Sequence, residues 1–321
     1  MTTEQIPVVA VVGPTASGKS RLAVELAKWL NSEVVSADSM QIYQEMTIGT
    51  AKITPEEMEG VPHHMIDFLP VTSPFSVADY VSMAKTCLQE IHNRGKIPVL
   101  AGGTGLYVRS LLQNLDFSEG DHDLSLREEL TELANREGAE PLMEELRRID
   151  PESAERIEPN NLPRVIRAIE LYRTTGKTMT QHLADSRRNP SPYQVCMIGL
   201  NYQDRSVLYD RINRRVDEMM AQGLLEEART LLQGEGGKTA LQAIGYKELK
   251  PYFDGERSLE ESVAFMKQAT RRYAKRQLTW FRREEKIHWL YPDAYEDFRL
   301  LLEDAKELVT GTFGGAEKND E

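Results

Sequence analysis

The chain has 321 residues, 40% of them hydrophobic and 28% charged, which are proportions of a folded globular protein rather than of a disordered or fibrous one. It has no run of 18 apolar residues, and its first five residues do not form a secretory signal, so we expect a cytoplasmic protein that does not bind membranes. Only Cys87 and Cys196 are present, which excludes a disulfide framework and a zinc site built from cysteine alone.

The N-terminal segment carries the strongest motif. Residues 6–12 are apolar and rich in valine, which predicts a buried strand, and residues 21–30 carry apolar side chains at helical spacing. Between them, Gly13–Ser20 fits the phosphate-binding pattern G-x-x-x-x-G-K-[ST]. Because strand, loop and helix follow in the required order, this segment predicts a phosphate or diphosphate site, with charge from Lys19 and an Mg²⁺ ligand from the Ser20 hydroxyl.

The rest of the first third alternates strand-like and helix-like stretches. Strands are predicted at 33–37, 64–68 and 97–101, and helices at 76–94 and from Leu106 onward. This alternation predicts an α/β fold with a P-loop NTPase-like parallel sheet flanked by helices. Ligands of such sheets bind beyond the carboxyl ends of the strands, which brings together residues 13–20, Asp38 and residues 102–104.

A helical insertion is predicted to interrupt this core. Helices are expected at 125–136, 141–149, 162–174 and 178–185, before the strand-like run 194–200 resumes the α/β pattern. Later expected elements are helices 205–222, 224–233, 259–283 and 294–309, and a strand at 287–290. We therefore predict a P-loop catalytic core of residues 1–116 and 194–310, a helical insertion of residues 117–193, and a disordered tail of residues 311–321.

The polar residues after the predicted strands suggest what happens to the phosphate. The strand at 97–101 leads into Gly102-Gly103-Thr104, without the aspartate that a P-loop ATPase uses to hold Mg²⁺, which favours gripping a diphosphate over cleaving a γ-phosphate. Asp38 is a candidate proton acceptor for an incoming amine or a loop-capping residue, and Thr104 a phosphate ligand or a turn residue.

Two further features of the first third have structural alternatives. Lys52, in the polar loop 47–52, is a candidate anion contact. The adjacent His63 and His64 point in divergent directions, so we interpret them as hydrogen-bonding residues rather than as a metal pair.

Positive charge is concentrated near the C-terminus, although the net charge of the chain is −12. Residues 267–286 contain eight basic and two acidic residues, and on a helical wheel the basic side chains face away from Tyr273, Gln277 and Phe281. A solvated face usually mixes charges of both signs, so this one favours a polyanion partner.

Taken in order, these segments resemble the bacterial tRNA dimethylallyltransferases, also called tRNA isopentenyltransferases or the IPP transferase family. The resemblance spans roughly residues 7–292 and lies in the motifs Gly13–Ser20, Ala37–Ser39, Ile48–Lys52, Gly102–Thr104, Asp150-Pro151, Pro159–Asn161, Ala240–Glu248 and Thr270–Gln277. The family resemblance implies transfer of a dimethylallyl group from dimethylallyl diphosphate to N6 of adenine 37 in the anticodon loop of tRNA, with release of pyrophosphate.

The resemblance also implies a role for each motif. Diphosphate would be bound by Gly13, Pro14, Thr15, Ala16, Ser17, Gly18, Lys19 and Ser20, with Ser20 also holding Mg²⁺ as the cofactor. Catalytic roles would fall to Asp38, Thr104 and Arg211. The tRNA anticodon stem-loop would contact Asp38, Ser39, Met40, Gln41, Thr104, Arg127, Leu162, Pro163, Arg164, Val165, Ile166, Arg271, Arg272, Lys275 and Arg276. The helical insertion would act as a clamp on the tRNA, and the protein would be a monomer.

Three other functions compete with this one. A small-molecule kinase would share the P-loop but not the basic helix, and an enzyme that prenylates free AMP would have little use for a helical insertion. A non-catalytic RNA-binding module would leave the phosphate loop without a purpose.

Overall fold

The computed structural model describes residues 5–115, 124–186, 190–234 and 240–314. Contacts divide the chain into two compact units, one formed by Met1–Leu111 with Pro192–Glu321 and the other by Leu112–Ser191. The described helices include none that is long and apolar enough to cross a membrane.

Six parallel strands form the sheet of the larger unit, in the order β3-β2-β4-β1-β5-β6. They are β1 (Ile6–Val12), β2 (Val34–Ser36), β3 (His63–His64), β4 (Val99–Gly102), β5 (Tyr193–Leu200) and β6 (Ile287–Leu290). Val12 at the end of β1 is level with Gly102 on one side and Gly199 on the other, so the strands end at a common edge. The α/β fold class with a parallel sheet is confirmed.

Fourteen α-helices lie within the described ranges. They are α1 (Lys19–Trp29), α2 (Pro55–Met58), α3 (Val77–Asn93), α4 (Gly105–Leu112), α5 (Leu124–Glu137), α6 (Glu140–Ile149), α7 (Pro151–Arg156), α8 (Leu162–Thr175), α9 (Met179–Ser186), α10 (Arg205–Ala221), α11 (Leu224–Gln233), α12 (Tyr246–Phe253), α13 (Leu259–Phe281) and α14 (Phe298–Phe313). Short 3-10 helices span Ala240–Gln242 and Pro292–Ala294.

The core of the larger unit explains why β1 is apolar on both faces. Val9 and Val11 pack with Leu22 and Leu26 of α1 and with Leu301 of α14 in one buried cluster. The alternate residues Val8, Ala10 and Val12, on the other face of the strand, are also fully buried. A strand covered on both sides needs apolar residues throughout, which is the pattern that the sequence shows.

Local capping signals fix several helix ends. The Ser76 hydroxyl accepts from the backbone N–H of Asp79, whose carboxylate accepts in return, and Ser258 and Glu261 repeat the arrangement at α13. Gly95, just beyond α3, has a φ of +73°, as predicted for a C′ glycine.

The smaller unit is helical throughout its described residues. Leu130, Leu142, Leu146 and Ile169, from α5, α6 and α8, share its core. Helix α7, which the sequence analysis missed, is short and begins at Asp150, whose carboxylate accepts from the backbone N–H of Ser153. The unit spans residues 112–191, against the predicted insertion of 117–193, and its role as a clamp stays a prediction.

Two predicted elements need correction. The strand predicted at 64–68 is only the two-residue β3, because Met65 and Asp67 adopt positive φ values that end the extended conformation. The disorder predicted for the tail is wrong for residues 311–313, because α14 continues to Phe313, which packs on the core. Residues 315–321 lie outside the described residues.

Candidate active site

The phosphate loop joins β1 to α1 at the carboxyl edge of the sheet. Gly13 has a φ of +149°, and a Cβ there would lie 2.6 Å from the Leu200 carbonyl oxygen, so only glycine fits. Gly18 is left-handed at the N-cap of α1. Within the described residues the Ser17 hydroxyl is buried without a hydrogen-bond partner. A glycine-shaped loop that leads into a helix N-terminus is the geometry of an anion cradle.

Two cationic side chains are crowded beside this loop. Burial lowers the pKa of Lys19 to about 8. The negative charge of Asp38 acts to raise this pKa, and the positive charge of Arg215 lowers it further. Burial also lowers the pKa of Arg215, and the charge of Arg211 adds to that effect. The described residues give neither Lys19 nor Arg215 an ion pair with a carboxylate. A bound anion would therefore stabilise these two positive charges, which no carboxylate of the described residues neutralises.

Arg211 supports the loop rather than lining the cavity. Its Nε donates to the Ala16 carbonyl oxygen at 2.9 Å, and its guanidinium lies 5.7 Å from the centre of the Tyr202 ring. The side chain that lines the cavity is Arg215, one helical turn further along α10. The sequence analysis chose Arg211 and missed Arg215; the i, i+4 repeat of arginine along α10 was the available signal.

Asp38 follows β2, and its side chain lines the same cavity as Lys19. Its Oδ1 accepts from the backbone N–H groups of Met40 at 2.9 Å and Gln41 at 3.4 Å. No hydrogen bond within the described ranges engages Oδ2. The two interpretations of Asp38 are thus compatible, because one oxygen caps the turn while the other remains available to a ligand.

Thr104 ties the end of β4 to the end of β2. Its Oγ1 accepts from the Ser39 N–H at 3.1 Å, and its own N–H donates to the Ala37 carbonyl at 3.1 Å. Gly102 permits this approach, since a Cβ there would lie 2.2 Å from the Ala37 oxygen. The turn role of Thr104 is therefore present in the structure, and contact with the diphosphate stays a prediction.

A cavity of about 630 Å³ in the larger unit brings these groups together. One wall carries Thr15, Lys19, Ser20 and Asp38, and the rest includes apolar side chains, namely Met40, Ile48, Ile53, Val216, Met219, Ile244 and Met266. A cationic wall joined to an apolar one suits a ligand with an anionic head and a hydrocarbon part. A smaller cleft of about 320 Å³, lined by Glu45, Val71, Thr72, Glu227, Thr230, Leu231 and Gly234, has no cation and does not offer this combination.

The loop of residues 47–52, which faces the cavity, is held by side chains. The Glu227 carboxylate accepts from the backbone N–H groups of Thr47, Ile48 and Gly49, at 3.1, 2.8 and 2.9 Å, and from the Tyr246 hydroxyl at 2.7 Å. The Lys52 Nζ donates to the carbonyls of Tyr43 and Gln44 and to Asp67. All three of its protons are used within the fold; Lys52 also lines the cavity, and its contact with an anion stays a prediction.

His63 and His64 have the hydrogen-bonding role that was predicted for them. Nδ1 of His63 lies 2.8 Å from the Val61 carbonyl, and Nε2 of His64 lies 2.7 Å from the Glu33 carboxylate. A search of the described residues finds no group of three or more histidine, cysteine or acidic residues that is able to hold a metal ion.

The basic face predicted on α13 is present. Arg272, Lys275 and Arg276 are exposed, whereas Ala274, Gln277, Leu278 and Phe281 are buried on the opposite side. Arg271 differs from them: it is partly buried and donates to Asn213 Oδ1 at 2.6 Å. The amphipathic pattern is confirmed, and contact of this face with RNA stays a prediction.

In the smaller unit, only part of the predicted RNA contact set is accessible. Pro163 and Arg164 are exposed and Leu162 is partly exposed, but Val165 and Ile166 are buried in the core. The helix turns those two side chains inward, and contact of these residues with RNA stays a prediction. Arg127 donates to the buried Glu170 carboxylate at 2.7 Å, so it has a structural role whether or not it also meets RNA.

The phosphate loop suits Mg²⁺ only when a phosphate ligand supplies further oxygen atoms. Ser20, at the start of α1, is exposed and lines the cavity, and it brings a hydroxyl oxygen but no carboxylate cluster. Mg²⁺ characteristically takes few protein oxygens and completes its shell with water and substrate phosphates. The donor set is consistent with that arrangement.

Comparison with known proteins agrees with this geometry. The sequence profile described as IPP transferase matches residues 41–284. The chain belongs to the IPP transferase family. It is 50% identical over 310 residues to the tRNA dimethylallyltransferase of Caldanaerobacter subterraneus, covering 95% of this chain and 98% of that one. It is also 50% identical over 312 residues to the Bacillus subtilis enzyme of the same name, covering 97% and 98%.

Solved structures of the family share the fold. A full-length tRNA isopentenylpyrophosphate transferase from Bacillus halodurans is 46% identical with a TM-score of 0.73, covering 97% of this chain and 98% of that one. A eukaryotic dimethylallyltransferase, described as acting on tRNA, is 28% identical with a TM-score of 0.78, covering 95% of this chain and 80% of that one.

Proposed function

We propose that this protein transfers a dimethylallyl group from dimethylallyl diphosphate to N6 of adenine 37 in the anticodon loop of tRNA. The observation that carries the proposal is the cavity in which the phosphate loop, two desolvated cations and an available carboxylate oxygen meet an apolar wall. Family membership supplies the substrate class, since close relatives over the full length carry the tRNA dimethylallyltransferase name.

The diphosphate is bound by the loop Gly13–Ser20, with Lys19 and Arg215 neutralising its charge. Arg211 holds the loop in shape through the Ala16 carbonyl. Ser20 would hold Mg²⁺ together with substrate phosphates, and the ion would supply positive charge that stabilises the leaving group. In this role the loop positions and stabilises a leaving pyrophosphate, and hydrolysis of a nucleoside triphosphate is not required.

Asp38 accepts the proton of the reacting amine. Adenine leaves the base stack to reach the cavity, N6 attacks C1 of the allyl group, and the bond from C1 to the diphosphate oxygen breaks. The pair of electrons in that bond departs with pyrophosphate, and the proton lost from N6 passes to Asp38. Thr104 and Ser39 hold the strand ends beside Asp38 and so keep this carboxylate in position.

Exposed residues in each unit, taken separately, are candidates for binding the RNA. Arg272, Lys275 and Arg276 meet the phosphate backbone, and the N-terminal end of α8, at Pro163 and Arg164, supplies further contacts. These contacts are made to the sugar-phosphate backbone of the RNA, so they position the anticodon stem-loop without reading its sequence.

The decisive experiment is incubation with labelled dimethylallyl diphosphate and unmodified tRNA, followed by nucleoside analysis. Dimethylallyl label on adenosine 37 and stoichiometric pyrophosphate support the proposal, and label on free AMP alone contradicts it. Transfer of the γ-phosphate from ATP to a small molecule, without prenyl transfer, would establish a kinase instead.

Asp38→Asn is the sharpest variant because the amide oxygen still accepts from the Met40 N–H while the basic oxygen is lost. We expect the single-turnover rate to fall by about 10²–10⁴-fold with unchanged thermal stability. Asp254→Asn makes the same change at an exposed residue that does not line the cavity, so it is the matched control and should leave the rate unchanged. An Asp38→Asn rate within threefold of the unmodified protein rules out the assigned role.

A further inference from the structure

Gln277 lies on the buried side of α13, opposite the exposed basic face. Its side chain is 5% exposed and makes two hydrogen bonds with different loops. Oε1 accepts from the Thr15 N–H of the phosphate loop at 2.9 Å, and Nε2 donates to the Gly103 carbonyl at 3.0 Å. One amide therefore joins the loop after β1 to the loop after β4, at the edge of the cavity.

The sequence around this amide is shaped to admit it. A Cβ at Gly103 would lie 2.2 Å from the Gln277 Nε2, so glycine there leaves room for the bond. Burial raises the pKa of Tyr273, one turn earlier on α13, and the neighbouring side chains of Thr104 and Gln277 act in the opposite direction, so Tyr273 lies beside both of them. The buried side of one helix thus holds both loops, and the second loop carries Thr104, which in turn holds the Ser39 N–H next to Asp38.

We propose that Gln277 is a positioning residue that fixes the phosphate loop relative to the Gly102–Thr104 loop and so sets the distance between the diphosphate and the amine acceptor. This inference rests on the proposed function for its catalytic consequence. The chemistry requires an amide, because one end must accept from an N–H and the other must donate to a carbonyl. A carboxylate at this position would place one of its oxygens against the Gly103 carbonyl oxygen, and neither atom has a proton to donate. An apolar side chain would leave the Thr15 N–H and the Gly103 carbonyl buried without partners.

The test compares Gln277→Glu with Gln268→Glu, which introduces the same charge on an exposed position of the same helix. We expect Gln277→Glu to weaken binding of inorganic pyrophosphate by about tenfold and to slow single-turnover prenyl transfer by about 10–100-fold, since small misplacements of reacting groups are costly. Affinity for tRNA should stay within twofold, and Gln268→Glu should change none of these quantities.

A second variant reaches the same contact without altering Gln277. Gly103→Ala displaces the Gln277 amide through its Cβ, so it should weaken pyrophosphate binding as Gln277→Glu does. When Gly103→Ala is combined with Gln277→Ala, the fold-loss of pyrophosphate affinity should be smaller than the product of the two single fold-losses. The inference is overturned if Gln277→Glu or Gly103→Ala lowers only the melting temperature while pyrophosphate affinity and transfer rate per folded molecule are unchanged. Pyrophosphate binding is measured without tRNA, so this arm stands even if the protein proves not to prenylate tRNA.

Discussion

The two edges of the parallel sheet differ in whether their charged side chains have partners of opposite charge. At the amino edge, Glu33 precedes β2 with its side chain 7% exposed, and its oxygens bind His64, Arg94 and Lys96 at 2.7, 2.7 and 3.0 Å. Burial raises the pKa of Glu33, but hydrogen bonds from His64, Lys96 and Arg94 outweigh it and lower the pKa to about 2. This charge is satisfied within the fold.

At the carboxyl edge, the cations lack such partners. Lys19 lies 3.4 Å from the Pro14 carbonyl but forms no ion pair in the described structure, and burial lowers its pKa to about 8. The difference between the edges separates a charge that contributes to stability from charges that we propose bind a ligand. A charge that the fold has satisfied stabilises it, whereas one that the fold has left unsatisfied favours binding of an opposite charge.

The largest expected effect comes from removing the unsatisfied charge. Lys19→Met should lower kcat/KM for dimethylallyl diphosphate by about 10²–10³-fold, because a preorganised cation at the leaving group is lost. The same variant should raise the melting temperature of the free protein, because a desolvated ammonium group is replaced by an apolar side chain of similar length. Steady-state kinetics and calorimetry check the two effects; a lower melting temperature would break the comparison between the edges.

The lowered pKa of Lys19 also predicts a pH effect on binding. In the free protein the ammonium loses its proton above about pH 8, and bound pyrophosphate restores the usual pKa by stabilising the charge. Binding near pH 8 should therefore take up protons, and affinity should fall as the pH rises further. Titration calorimetry in buffers of different ionisation enthalpy measures the uptake, and Lys19→Met should abolish it.

Two arginines of α10, Arg211 and Arg215, sharpen the comparison within the carboxyl edge. Arg215→Met should cost about 10–10²-fold in kcat/KM, because it removes a cation that lines the cavity. Arg211→Met removes the support of the Ala16 carbonyl and should raise KM for dimethylallyl diphosphate with a smaller effect on kcat. Kinetics of the two variants side by side test this ranking, and equal losses of kcat in both would contradict it.

At the amino edge, Glu33→Gln should affect stability and leave catalysis unchanged. With the folded pKa near 2 and an unfolded pKa near 4.5, the carboxylate contributes about 3 kcal/mol to the free energy of unfolding at neutral pH. Because the folded pKa is the lower one, this contribution is complete above about pH 5 and is lost as the pH falls toward about 2. Urea unfolding at several pH values measures it, and a stability difference that stays constant between pH 7 and pH 3 would be inconsistent with the assigned pairing.

The sequence predicted the sheet and the phosphate loop because both depend on local patterns. The run at 6–12 and the glycines at 13 and 18 carry their structure within a few residues. Arg215 and Gln277 were harder to assign, because their roles depend on which face of a long helix packs against a loop more than 170 residues away in sequence. The partners of Lys52 are nearer, at most 15 residues away, but Tyr43, Gln44 and Asp67 come together around it only in the folded chain.

The smallest expected effect concerns unpaired charge on the surface, where water screens each cation. Replacing both Arg272 and Lys275 with alanine should reduce the slope of log affinity for tRNA against log salt by about 2 and weaken binding by about tenfold at low salt. Arg299→Ala, on an exposed position of α14, is the matched control and should leave the slope unchanged. Transfer to a saturating amount of tRNA should proceed at the normal rate in both variants, because these side chains hold the RNA and do not enter the cavity. If the salt dependence of tRNA affinity did not change in the double variant, the RNA would bind another surface and not the basic face of α13.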